Sequence, residues 1–160
     1  MPKRSTTKKP TPTPSSMLRA YGQIRDQASG NSVPYDPYKI THSLQSTILS
    51  YYSNPPKTRD GQTKWLVLLG YRQAGKSLTA ELCAYAKTAY TPGMDHVCIA
   101  DTRDRAEYLH RRVHFTHARW PEKLRTPTSA TREVRQLSFD QARGGKMRVM
   151  SGESGSVGIG

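Results

Sequence analysis

The stretch Gly70-Tyr71-Arg72-Gln73-Ala74-Gly75-Lys76-Ser77 meets the pattern G-x-x-x-x-G-K-[ST] at every fixed position. This is the spacing with which a backbone loop cradles the phosphates of a nucleotide. Gly70 and Gly75 let the main chain turn and come close to an anion without a Cβ in the way. The loop amides of Tyr71, Arg72, Gln73 and Ala74, with the first turn of a helix opening at Ser77-Leu78, then offer N–H groups to phosphate. Lys76 supplies a point charge for the β- and γ-phosphates of ATP, and Ser77 Oγ a ligand for the Mg²⁺ that bridges them. The bland alternative is a glycine-containing turn that happens to precede a lysine.

A phosphate loop works only between a strand and a helix that aim its amides. Ahead of it, Trp65 to Leu69 (WLVLL) is short, continuous and apolar, as a buried parallel strand is. Behind it, Ser77 to Tyr90 reads as a helix with Leu78, Leu82, Tyr85 and Ala89 as its apolar stripe, stopped by Thr91-Pro92-Gly93. His96 to Ala100 predicts a second strand, and Asp101 or Thr102 caps a helix running to about Trp120-Pro121. The β–α–β–α order places the chain in the α/β class, with a parallel sheet, right-handed crossovers and flanking helices.

Farther on, Glu133 to Phe139 and Met147 to Met150, joined through Gly144-Gly145, read as a basic β-hairpin. Upstream, Tyr38 to Tyr52 sets Ile40, Leu44, Ile48 and Tyr51 on one helical face, with Thr41 or Ser43 as N-cap and Asn54-Pro55-Pro56 as its end. Met17 to Asp26 reads as a short helix and Gly30 to Pro37 as loop. The expected organisation is a disordered basic tail over 1–16, a helix and linker over 17–37, and a nucleotide-binding unit over 38–160.

Other residues with chemistry are fewer. Gln45, one turn after His42, carries both an amide donor and an acceptor for an adenine edge, or is simply a surface glutamine. His110, His114 and His117 share one helical face but lack the Glu of H-E-x-x-H and any Cys partner, so a solvated or DNA-facing basic helix is preferred to a zinc site. Cys83 and Cys98 fall in a predicted helix and a predicted strand and read as small buried thiols. The formal net charge of +13 and the mean hydropathy of −0.75 point to a polyanionic partner such as nucleic acid. Apolar runs fall far short of the ~18 residues of a membrane span, and no signal peptide is visible, so a cytoplasmic setting without a membrane is expected.

Taken in order, His42-Ser-Leu-Gln45, LVLLGYRQAGKS, Val97 to Ala100 with Thr102, the hairpin FDQARGGKMRVMSG and the loop SVGIG resemble the ATPase domain of tailed-phage large terminase subunits. The resemblance spans about Tyr38 to Gly160, and its most specific part is Arg72-Gln73 inside the phosphate loop. It implies a P-loop NTPase fold of the RecA/helicase-like kind and ATP hydrolysis coupled to packaging of double-stranded DNA. It also implies Gln45 as the adenine-reading residue and Arg72 as a cis-acting catalytic arginine beside Lys76. Implied partners are DNA, a portal protein, a small terminase subunit and further copies of the chain in a ring. The family carries, after the equivalent of SVGIG, an apolar strand ending in Asp-Glu, and later a nuclease domain. No such strand follows Lys76 here, so the chain reads as an N-terminal portion of that domain, marginally stable or aggregation-prone when made alone. Rival readings are a helicase-like ATPase, a small-molecule kinase, or a non-catalytic basic DNA-binding protein with a vestigial phosphate loop.

Overall fold

The computed structural model describes residues 13–25, 29–35, 43–69, 75–129 and 135–153. Thr13 opens the first helix, α1 (Pro14–Tyr21), its Oγ1 accepting from the Ser16 amide at 3.3 Å. Pro14 stands where a missing N–H costs nothing. Gly22 ends the helix and leads into an antiparallel pair, β1 (Gln23–Arg25) and β2 (Ser32–Pro34), with Ile24 opposite Val33. The helix predicted over Met17–Asp26 thus starts earlier and stops sooner, and part of the loop predicted over Gly30–Pro37 is strand. Three-residue strands are too short for alternation to show, and this pair is held by tertiary anchors. Ile24 packs on the core, and buried Tyr35 hydrogen-bonds Thr79 through its hydroxyl at 2.7 Å.

The next helix, α2 (Ser43–Ser53), ends where Asn54-Pro55-Pro56 predicts. Its predicted beginning, with Ile40, Thr41 and His42, lies outside the described residues. The chain then makes a tight connection closed by a bridge between Lys57 and Thr63 and enters Trp65–Leu69. Here the structure corrects the sequence reading: this run belongs to no sheet among the described residues. Leu68 packs against the core, while Trp65 (96% exposed), Val67 and Leu69 (87%) face outward. Alternate burial is what a strand would show, but a strand also needs a neighbour for its amides and carbonyls, and none of the described strands pairs with it.

α3 (Lys76–Tyr90) follows as predicted, with Thr91 at its C-cap. It is buried nearly all round, not along one stripe: Thr79, Glu81, Cys83, Ala84, Ala86 and Thr88 are buried as well as Leu82, Tyr85 and Ala89. Its small side chains let α1, α2 and the rest of the core close around it. β3 (Asp95–Ala100) and α4 (Arg103–Arg119) also fall where predicted, Thr102 capping α4 by accepting from the Arg105 amide at 3.3 Å. β4 (Gln136–Ser138) and β5 (Lys146–Ser151) form the predicted hairpin; its Glu133 and Val134 lie outside the described residues.

The sheet order is β3-β5-β4, with β3 and β5 parallel (Val97 opposite Arg148) and β4 and β5 antiparallel (Leu137 opposite Met147). The chain is therefore mixed α/β, with helices against a small mixed sheet. Gly145 fixes this join. Its amide donates to Thr88 O at 2.9 Å, and any Cβ there would run into the Met94 main chain. One core unites Leu18, Tyr35, Ile48, Leu82, Tyr85, Val113, Trp120, Phe139 and Met147. Tyr85 is its hub, with ring centroids 5.4 Å from Trp120 and 6.0 Å from Phe139. The outer face of β3 leaves Val97 and Ile99 exposed. No helix among the described residues is long and apolar enough to cross a membrane.

Candidate functional site

Of the residues singled out for nucleotide binding, Gly70, Tyr71, Arg72, Gln73 and Ala74 lie outside the described residues, while Gln45, Gly75, Lys76, Ser77 and Leu78 lie within them. Gly75 sits in the left-handed region, φ 69° and ψ 8°, and is the N-cap of α3. It offers no side-chain cap, and no acid stands in the first turn. A helix start whose N-cap residue brings no side-chain oxygen and whose first turn carries no acid favours an external anion. Lys76 is half-buried, Ser77 exposed, and Leu78 half-buried against the core.

Gln45, 30 positions earlier, comes to the same turn. It is only 5% exposed, and its side-chain amide lies directly against Gly75, where an added Cβ would collide with it. Packing of α2 along α3 makes this meeting, so the glutamine and the loop's second glycine are neighbours in space. Gly75→Ala is expected to fail twice. A left-handed conformation costs a non-glycine residue roughly 1–2 kcal/mol, and the new methyl strikes the Gln45 amide. A lowered thermal midpoint, partly restored when Gln45→Ala is added, checks this; an unchanged midpoint would show that the turn is not as described.

The carboxylate nearest in sequence to the turn, Glu81, faces away from it toward α4. It is 5% exposed and accepts from Arg112 Nε at 2.6 Å and also from Arg112 Nη2, while its Oε1 is buried without a hydrogen bond. Burial pushes the Glu81 carboxyl up to about 7, with Arg112 pulling the other way. Sequence reading missed this pair. The signal was present: a lone acid in a helix whose neighbours are Ala, Leu, Cys and Thr is either on the one wet face or paired, and α3 has no wet face to spare.

The three histidines of α4 separate. His110 and His114 face each other across one turn, Nε2 to Nε2 at 3.0 Å. His117 instead turns inward, Nδ1 3.1 Å from the Tyr85 hydroxyl and its ring 5.6 Å from that of Phe139. Burial, then Arg125 and His114, push it down to about 4. Among the described residues no group of three or more His, Cys, Asp or Glu gathers as a metal centre. Cys83 and Cys98 are free thiols, and burial pushes Cys83 up to about 12 and Cys98 to about 11.

The basic surface is real but partly spent internally. Arg103 meets Glu107 at 3.4 Å, Arg105 pairs with Asp101, and Arg135, at the left-handed φ of 71°, meets Glu107 at 2.9 Å. Arg111, Arg119, Arg143 and Arg148 are exposed. Arg132 lies outside the described residues. A scan against protein-family models matches none, and a search of curated proteins returns no match.

Proposed function

We propose that the chain binds Mg²⁺-ATP at the loop ending in Gly75-Lys76-Ser77 and works as part of a P-loop ATPase that moves double-stranded DNA, of the packaging-motor kind. The observation that carries this reading is the meeting of three things. A complete G-x-x-x-x-G-K-S pattern runs into a left-handed glycine turn at Gly75; that turn opens a 15-residue helix; and Gln45 packs on the turn from a different helix. In this reading phosphoryl transfer goes to water. Ser77 Oγ would hold Mg²⁺, which would supply charge neutralisation at the phosphates, and the Lys76 ammonium and Arg72 guanidinium would offset the negative charge that develops on the γ-phosphate. DNA-stimulated ATP hydrolysis by the intact protein tests it; DNA binding without nucleotide binding would leave the non-catalytic reading standing, and ATP hydrolysis indifferent to DNA would favour a kinase-like one.

The exposed arginines of α4 and the hairpin support a non-specific hold on the phosphate backbone. For roughly six phosphate contacts, DNA affinity is expected to fall about a thousandfold between about 50 and 200 mM salt. Arg111→Gln is expected to reduce the slope of log affinity against log salt by about one, uniformly across sequences. Binding that ignores salt would remove this surface from the account.

A further inference from the structure

We propose that His110 and His114 form a chelating site for a late first-row divalent cation, Cu²⁺ in preference to Ni²⁺ and Zn²⁺. The two residues stand one turn apart on α4, with Nε2 atoms 3.0 Å apart, ring centroids 4.4 Å apart and ring planes at 68°. Two imidazole nitrogens each about 2.0–2.1 Å from one ion lie about 2.9 Å apart when the angle at the metal is about 90°, and about 3.3 Å apart when it is tetrahedral. The 3.0 Å separation lies within small side-chain rotations of either case, and the preference for Cu²⁺ follows from its place at the head of the affinity order for nitrogen sites.

The surroundings suit a cation that brings its own remaining ligands. His114 is exposed and His110 half-exposed, so waters or an outside donor can complete the coordination. His110 also lies within the field of Arg135. The Arg135 charge is countered by Glu107 at 2.9 Å. In the apo protein one ring donates its Nε2–H to the other. Chelation requires both rings as Nδ1–H tautomers, so the ion takes the place of that hydrogen bond. His117 stays out of the site, held by Tyr85 and Phe139.

The test is titration of the tag-free chain with Cu²⁺ alone in a weakly coordinating buffer, followed by visible absorption and electron paramagnetic resonance. The expected result is one saturable site with nitrogen ligation in the metal plane, and a thermal midpoint raised by the ion. His110→Ala and His114→Ala should each weaken binding at least about tenfold, while His96→Asn and His42→Asn leave it intact. The alanine variants should unfold as the parent does without metal, since both rings lie on the open face of α4. Binding that survives both alanine changes, or a site that takes Zn²⁺ more tightly than Cu²⁺, would overturn the assignment. Neither outcome bears on the nucleotide proposal, which uses none of these residues.

Discussion

Lys76→Ala is expected to abolish ATP turnover, by at least about a hundredfold, with the fold intact. A charge positioned on the β- and γ-phosphates acts mainly where negative charge grows in the transition state, and losing one such donor costs about a hundred- to a thousandfold in other enzymes. Lys76 is half-buried at the first position of α3, so the truncation removes little packing. The thermal midpoint should therefore move far less than the rate. Steady-state hydrolysis with and without DNA reads the effect. Turnover retained in Lys76→Ala would take Lys76 out of its assigned role.

The largest effect on stability is expected at Arg112. Arg112→Ala leaves the Glu81 carboxylate buried without its partner, a loss that typically costs about 3–5 kcal/mol. The penalty should depend on pH. Glu81 is raised above its ordinary value to about 7, so the folded chain holds this proton more tightly than the unfolded one. The stabilisation from protonation is complete below about 4.5 and is lost as pH rises through about 7, amounting to about 3 kcal/mol across that window. In Arg112→Ala the carboxylate loses its counter-charge, so the variant should suffer less at pH 5, where Glu81 can be neutral, than at pH 8. Glu81→Gln should flatten the pH dependence. Glu81→Leu with Arg112→Met should recover most of the lost stability, because an apolar pair needs no desolvation offset. Denaturant midpoints at the two pH values decide it; equal losses at both would mean that Glu81 is not buried as described.

Local rules made part of this molecule readable. The borders of α3, β3 and α4 follow from short-range signals: the Thr91-Pro92-Gly93 stop, the Thr102 cap and the continuous apolar run at His96–Ala100. The hairpin of β4 and β5 was legible from Gly144-Gly145 between two short runs, while alternation does not hold in β4, whose Gln136, Leu137 and Ser138 are all buried. Trp65–Leu69 was not, because an apolar run says that side chains avoid water but not whether another strand is at hand to pair with it. The β1–β2 pair was hidden for the opposite reason, since its strands are shorter than a period and depend on Tyr35 reaching Thr79.

In the candidate site, spacing alone singled out Gly75, Lys76 and Ser77 but could not bring Gln45 beside Gly75, a meeting made by the packing of α2 on α3. The histidines show the same limit. Residues 110, 114 and 117 share a face by count, yet the end of α4 packs on Tyr85 and Phe139 and draws His117 inside. Glu81 and Arg112, 31 positions apart in the chain, are joined only by the fold.

The central claim is that the main chain entering α3 holds the charged tail of a nucleotide. The most direct measurement is the change in backbone amide resonances of the ¹⁵N-labelled chain on adding Mg²⁺-ATP. The account predicts saturable shifts largest at Gly75, Lys76 and Ser77, with the Gln45 side-chain amide moving in step and all four silent in Lys76→Ala. Shifts that leave the Gly75–Ser77 amides unmoved at saturating nucleotide would contradict it.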